Sequence, residues 1–193
     1  MTERSRLGFE LNSTLEKDLS ESSPKNYIFD AVNKLSEQIY TDSLTGCYNR
    51  HFFENFKKNN FDPNRDNNNL ALVFTDVNGL KEINDTVGHT AGDELIKNTA
   101  NFFKLSFRKE DLIVRLGGDE FVIICHNYEN NSNFKEKFIS KITNRLNDKP
   151  PTNFAFGIDI YNKKKDFSNL DNTQKCAEDL MYQDKIQKKA SNS

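Results

Sequence analysis

The sequence predicts an α/β (α+β) fold in which helices wrap one buried sheet that contains an antiparallel hairpin. Three observations carry that expectation. Leu70-Ala71-Leu72-Val73-Phe74 is a continuous apolar run bounded by polar residues, the pattern of a strand buried on both faces. Residues 112–115 and 121–125 are two further apolar runs, joined through Gly117-Gly118, which is a hairpin signal. Segments of helical period lie between and after these runs, so strands and helices alternate around one sheet.

Residues 1 to about 24 are rich in Ser, Glu, Lys and Asn and read as a mobile leader, with a weak helix through Leu7, Leu11, Leu15 and Leu19. Ile28, Val32, Leu35 and Ile39 alternate steps of four and three, the spacing of a coiled-coil seam over about two heptads. Two readings fit this N-terminal helical extension: a short dimerising stalk, or a helix packed back on its own domain. Asp42-Ser43-Leu44-Thr45-Gly46 ends that helix and opens the next element, with Asp42 as its N-cap. Residues 59–69 form a polar loop without periodicity. The spacing predicts a helix over 91–107, with Leu95, Thr99 and Phe102 on one stripe. Phe134, Phe138, Ile142 and Leu146 mark another helix, stopped by Pro150-Pro151. A strand over 153–161 and a last helix over 173–189 complete the series. The chain thus divides into a leader and stalk, 1–41, and one domain, 42–193.

The bulk properties exclude several classes. A formal net charge of -2 over 193 residues gives no global attraction to nucleic acid or to an anionic membrane. Cys47, Cys125 and Cys176 lack any C-x-x-C spacing, which argues against a zinc site or a disulfide framework and suits a reducing cytoplasm. The first ten residues carry charges and no apolar core of a signal peptide. No apolar run approaches the roughly 18 residues of a membrane span. A soluble cytoplasmic domain, with no membrane insertion and no nucleic-acid partner, is the expectation.

Three features carry chemistry. Asp76 follows the buried strand 70–75, at the strand end where α/β sheets place ligands. Gly117-Gly118-Asp119-Glu120 is a turn in which the glycines let backbone approach a ligand closely and two carboxylates follow. Taken singly these are also an ordinary strand-end aspartate and a solvated acidic turn. Brought together, three carboxylates repel one another and call for cations; hard oxygen ligands suit Mg²⁺ or Mn²⁺, which commonly hold phosphates. The third feature runs from Lys81 to Asp93. Asn84 and Asp93 offer an amide and a carboxylate, groups able to read guanine edges. His89, inside the same stretch, reads as structural.

With these residues in place the sequence resembles the GGDEF family of diguanylate cyclase domains. The matching motifs are Asp42-x-Leu44-Thr45-Gly46 with Asn49-Arg50, then Asp76-Val77-Asn78-Gly79-Leu80-Lys81 with Ile83-Asn84-Asp85. Gly88-His89-x-x-Gly92-Asp93 and Arg115-Leu116-Gly117-Gly118-Asp119-Glu120-Phe121 follow in order. The resemblance implies a palm-like fold shared with nucleotidyl cyclases and polymerases, a central, mostly antiparallel sheet wrapped by helices. It implies two divalent metals per active site on Asp76, the Val77 carbonyl, Asp119 and Glu120. It further implies guanine at Asn84 and Asp93, and the β- and γ-phosphates of GTP at Lys81 and the amides near Gly79 and Leu80, with Gly117 and Gly118 beside the substrate. Asp93 favours GTP over ATP.

Asn78 and Gly79-Leu80 depart from commoner residues but spare the metal ligand. The family's closing Lys and Arg, four residues apart on the last helix, correspond to Lys185 and Lys189. Lysine keeps the charge and loses the planar fork. Arg108-x-x-Asp111, five residues before Gly117, matches the family's inhibitory product site. The activity implied is condensation of two GTP into cyclic di-GMP plus two pyrophosphates across a homodimer, each chain bringing one GTP. The alternative is an inactive module that binds GTP or cyclic di-GMP; intact Asp119-Glu120 argues against it.

Overall fold

The computed structural model describes residues 31, 35, 38–62, 64, 70–126, 134–148, 150–151, 153–166 and 169–191. The chain forms two compact units, Met1–Ile39 and Tyr40–Ser193. In the first, Ala31, Leu35, Gln38 and Ile39 are helical, with Leu35 and Ile39 exposed. The leader and the remainder of the expected stalk lie outside the described residues.

The second unit is built on β2 (Leu70–Val77), all of whose residues are buried. β4 (Glu120–His126) and β5 (Phe154–Ile160) flank it, both antiparallel. β3 (Leu112–Gly117) forms the hairpin with β4, and the short β1 (Tyr48–Asn49) pairs parallel with β3. The five-stranded order is β1-β3-β4-β2-β5, the mostly antiparallel sheet that the sequence led us to expect. The unbroken apolar run of β2 comes from cover on both faces, since neither neighbour is parallel.

Alternation along β2 sends Ala71, Val73 and Val77 to one core and Leu70, Leu72 and Phe74 to the other. The first core is closed by α3 (His89–Ser106), through Ile96, Ala100 and Phe103, and by α4 (Phe134–Asn147), through Ile142 and Leu146. The second is closed by Phe53 of α1 (Arg50–Asn55), by Phe56 of the π-helical turn Phe56–Asn60, and by Ala177 of α6 (Asp171–Ser191). Each fully buried side chain of this size stabilises the fold by about 1.5–3 kcal/mol. Two short helices, α2 (Leu80–Thr86) and α5 (Lys163–Asp166), complete the unit.

Asp42 does not open a helix. Its Oδ1 accepts from the Thr45 amide and hydroxyl at 2.9 and 2.7 Å, and Gly46 then takes φ 62, which closes a tight turn. The helix starts later, at Arg50, with Asn49 Oδ1 accepting from the Phe52 amide at 3.0 Å. Asn59 and Asn60, placed in a loop by their polarity, belong to the π-helical turn after α1.

The last helix is pinned to the start of β5. Asp184 Oδ2 accepts from the Phe156 amide at 2.9 Å and from Lys188 Nζ at 2.8 Å, and that ammonium also reaches the Phe154 carbonyl at 2.9 Å. Contact is so close at Gly157 that a Cβ there would overlap the Ala177 carbonyl and the Met181 amide and stand 2.8 Å from Leu180 Cβ. Gly157→Ala is therefore expected to destabilise the domain by about 3 kcal/mol, the upper end of overpacking costs, in urea unfolding followed by circular dichroism.

Candidate active site

Asp76, near the end of β2, is the register partner of Glu120 at the start of β4. Partners in an antiparallel ladder share a face, and like charges directly opposite destabilise it. Each acid is met by a cation. Lys185 Nζ, from α6, lies 2.7 and 2.6 Å from the two Asp76 carboxylate oxygens. Arg50, at the start of α1, approaches Glu120 Oε2 at 3.6 Å while its Nε donates to the Leu116 carbonyl at 2.8 Å. The two pairs differ in depth: the Asp76 and Lys185 side chains are 11% and 26% exposed, against 47% and 59% for Glu120 and Arg50. The first pair is therefore far less screened by solvent.

The hairpin turn from β3 into Glu120 requires glycine, with φ 143 at Gly117 and 54 at Gly118. Arg115 braces it. Its Nε and one terminal nitrogen donate to the Gly118 carbonyl at 3.2 and 2.9 Å, and the other terminal nitrogen meets the Asp42 carboxylate at 3.2 and 3.3 Å. Burial alone would raise the pKa of Asp42, but hydrogen bonds from Thr45 and the Arg115 guanidinium outweigh it, and the carboxyl is held below its ordinary range. The Asp119 carbonyl accepts from the Val77 amide at 3.0 Å, fastening the turn to the end of β2.

A cavity of about 820 Å³ opens between these elements. Of the expected site residues, Asp76, Val77, Gly79, Leu80, Lys81, Asp119, Lys185 and Lys189 line it. At its floor the chain reverses from β2 into α2 through Gly79 at φ 81, and no side chain caps the first amides of α2. Glu120 lines a second groove of about 450 Å³, with Arg50, Glu178 and Tyr182. Asp76, Asp119 and Glu120 accordingly do not gather into the expected three-carboxylate cluster, and none is formed among the described residues.

Asn84 and Asp93 line neither space. Gly92 joins them: a Cβ at this position would overlap the Asn84 side-chain oxygen, so α2 and α3 meet with the Asn84 amide beside the backbone that carries Asp93. Gly117 and Gly118 shape the turn without lining the cavity. Arg108 and Asp111 lie at the turn between α3 and β3, where buried Asp111 accepts from the Arg108 amide at 2.9 Å and the Arg108 side chain is exposed.

The donors present suit a hard divalent cation. Asp76, Val77 and Asp119 line one cavity, and two carboxylates are the number that Mg²⁺ or Mn²⁺ commonly takes alongside phosphate. The charge opposed across the ladder at Asp76 and Glu120 is what such an ion would neutralise.

Sequence reasoning missed the cavity residues Lys188 and Asn153 and the partner role of Arg50. Asp184 and Lys188 are one helical turn apart, a spacing that signals a pair. Arg50 and Glu120 are distant in sequence and give no such signal.

Because the Asp42 pKa is lowered on folding, its contribution is complete above the ordinary carboxylate range near about pH 4 and is lost as the pH falls below it. Asp42→Asn should cost about 2 kcal/mol at pH 7, the worth of hydrogen bonds to a charged group. The gap between variant and wild type should narrow below about pH 4 in parallel urea titrations.

Comparison with known proteins agrees with this fold. The profile of the family described as "Diguanylate cyclase, GGDEF domain" matches residues 39–191. Diguanylate cyclase TpbB of Pseudomonas aeruginosa strain PAO1 is 38% identical over 125 residues, which cover 64% of this chain and 28% of that protein. The solved GGDEF domain of TpbB superposes with a TM-score of 0.61 at 29% identity, over 76% of this chain and 89% of that one. Diguanylate cyclase SiaD, also from Pseudomonas aeruginosa, shares the fold, with a TM-score of 0.65 at 22% identity over 95% of this chain and 72% of that chain. The chain spans under a third of the length of the curated relatives it matches. With that family's profile matched over most of its length, the chain belongs to the GGDEF family of diguanylate cyclase domains.

Proposed function

We propose that this domain condenses two GTP molecules into cyclic di-GMP, with release of two pyrophosphates, between two copies of the chain. The observation that carries the reading is one cavity lined by both carboxylates and ammonium groups. Asp76 and Asp119 line it together with Lys81, Lys185, Lys188 and Lys189. A triphosphate with its counter-cations needs both.

Asp76, the Val77 carbonyl, Asp119 and Glu120 would hold two Mg²⁺ or Mn²⁺ ions, which supply a lowered pKa at the attacking ribose 3′-OH and neutralise charge on the departing pyrophosphate. The open amides of Gly79 and Leu80, with Lys81, face the terminal phosphates from the cavity floor. Lys185 and Lys189, one turn apart on α6, line the same cavity and would meet the same phosphates. Asn84 and Asp93 read guanine where α2 meets α3, with Asp93 favouring GTP. Gly117 and Gly118 keep the hairpin backbone bare beside the substrate. The 3′-OH of one GTP attacks the α-phosphorus of the other, the bond to pyrophosphate breaks, and a second such attack closes the ring. One GTP per domain makes a two-fold pair of chains the active unit, and a dimerising stalk over 28–39, as the sequence pattern suggests, would raise the local concentration of the partner. GTP supply places the reaction in the cytoplasm. Among the described residues, no helix is long and apolar enough to cross a membrane.

Arg108 and Asp111 would form an inhibitory product site. The exposed guanidinium suits a phosphate or a guanine edge, and Asp111 suits guanine N–H groups. The Arg108-to-Asp111 turn fixes the spacing of the two.

Purified protein with GTP and Mg²⁺ should yield cyclic di-GMP by chromatography, with turnover rising more than linearly in protein concentration. GTP bound but unconverted at concentrations where the chain dimerises would refute the enzymatic reading. Glu120→Gln should lower turnover by about 10²–10³-fold with circular dichroism unchanged. Arg108→Ala should raise the product level at which the reaction stalls, and an unaltered inhibition curve would remove the product site.

A further inference from the structure

Asp76 is the carboxylate to which a metal ligand role falls, and Lys185 is a lysine to which a phosphate role falls. Here they are bound to each other through both Asp76 oxygens, at 2.7 and 2.6 Å. An ammonium bridging both oxygens takes one lone pair on each and sets a positive charge beside the carboxylate, so this pair competes with a metal for Asp76 and with a phosphate for Lys185. The geometry points to a cation exchange: Lys185 neutralises Asp76 until a divalent metal displaces it, and the displaced ammonium then turns to the triphosphate. This rests on the metal and GTP reading above and adds to it a coupling between the two ligands.

Three observations support the exchange. Asp76 is 7% exposed and opposes Glu120 across the ladder, so it requires a counter-cation at every stage. Helix α6 does not depend on Lys185 for its seat, because Asp184 and Lys188 fasten it to β5 independently. Only the four-carbon stem of Lys185 has to swing, and it does so within the cavity where the phosphates would lie. Lys188 is committed to Asp184 and to the Phe154 carbonyl, whereas the partner of Lys185 is itself a metal-ligand candidate. Metal without nucleotide must break an ion pair, and nucleotide without metal meets a lysine already engaged. Each ligand thereby tightens the other by the same factor.

The test is Mn²⁺ binding to the full chain, read by electron paramagnetic resonance of the free ion, with and without a GTP analogue bearing an α,β-methylene bridge. Lys185→Met should bind Mn²⁺ about tenfold more tightly than wild type without nucleotide, a coupling of ordinary size. It should also lose most of the further tightening that the analogue gives wild type. Lys185→Gln, which keeps hydrogen-bond donors and removes the charge, should behave the same way. A side chain that merely supports the fold would not improve metal affinity when removed. Equal or weaker Mn²⁺ binding in these variants, with circular dichroism unchanged, overturns the exchange and leaves the metal assignment standing. Binding by Asp76→Asn as tight as wild type overturns the metal assignment and the exchange with it.

Discussion

Two negative charges facing each other across an antiparallel ladder, Asp76 and Glu120, impose a demand that much of the domain serves. Neither acid can go without a cation, because one is buried and the other stands directly opposite. The cations come from the two helices that cover the same face of the sheet: Lys185 from α6 and Arg50 from α1. The helices that cover the sheet therefore also carry its counter-charges. A shift of either helix along the sheet would strip a carboxylate of its partner.

The same economy holds at the turn. Asp42 belongs to a segment some seventy residues before the hairpin, yet its carboxylate closes the Thr45 turn and receives Arg115, whose remaining donors hold the Gly118 carbonyl. Lys104 of α3 ties in through the Thr45 carbonyl at 2.7 Å. The glycines at positive φ supply the bend, but they supply no stiffness. Stiffness comes from the guanidinium, which spans the turn and the segment behind it with a rigid, planar set of donors.

Much of this was legible in the sequence because it depends on local pattern. The apolar run from Leu70, the paired runs around Gly117-Gly118 and the four-residue period through Ile142 and Leu146 each became the element expected of them. The cavity wall at Asp76, Lys81 and Asp119 was legible for a different reason, as motif spacing. What escaped depended on three-dimensional choice. Asp42 offers the same carboxylate to a helix or to a turn, and only the positive φ of Gly46 and the reach of Arg115 decide between them. Glu120 lines the smaller groove with Arg50, a partner that no spacing rule could name. The contact of Asn84 with Gly92 likewise reads in sequence as two motif letters, and in space as one helix crossing resting on a missing side chain.

The separation of Asp76 from Lys185, 109 residues along the chain, bears on how the domain comes into being. During synthesis the acidic strands leave the ribosome well before the final helix does. Until that helix arrives, β2 and β4 hold opposed carboxylates with the deeper one uncompensated, so their pairing at that end is at its weakest. Completion of the sheet and neutralisation of its acids then coincide with the docking of α6, a long-range closure of the kind that slows folding. A nascent chain halted before this helix would carry the whole acidic half of the site in a sheet not yet able to keep it closed.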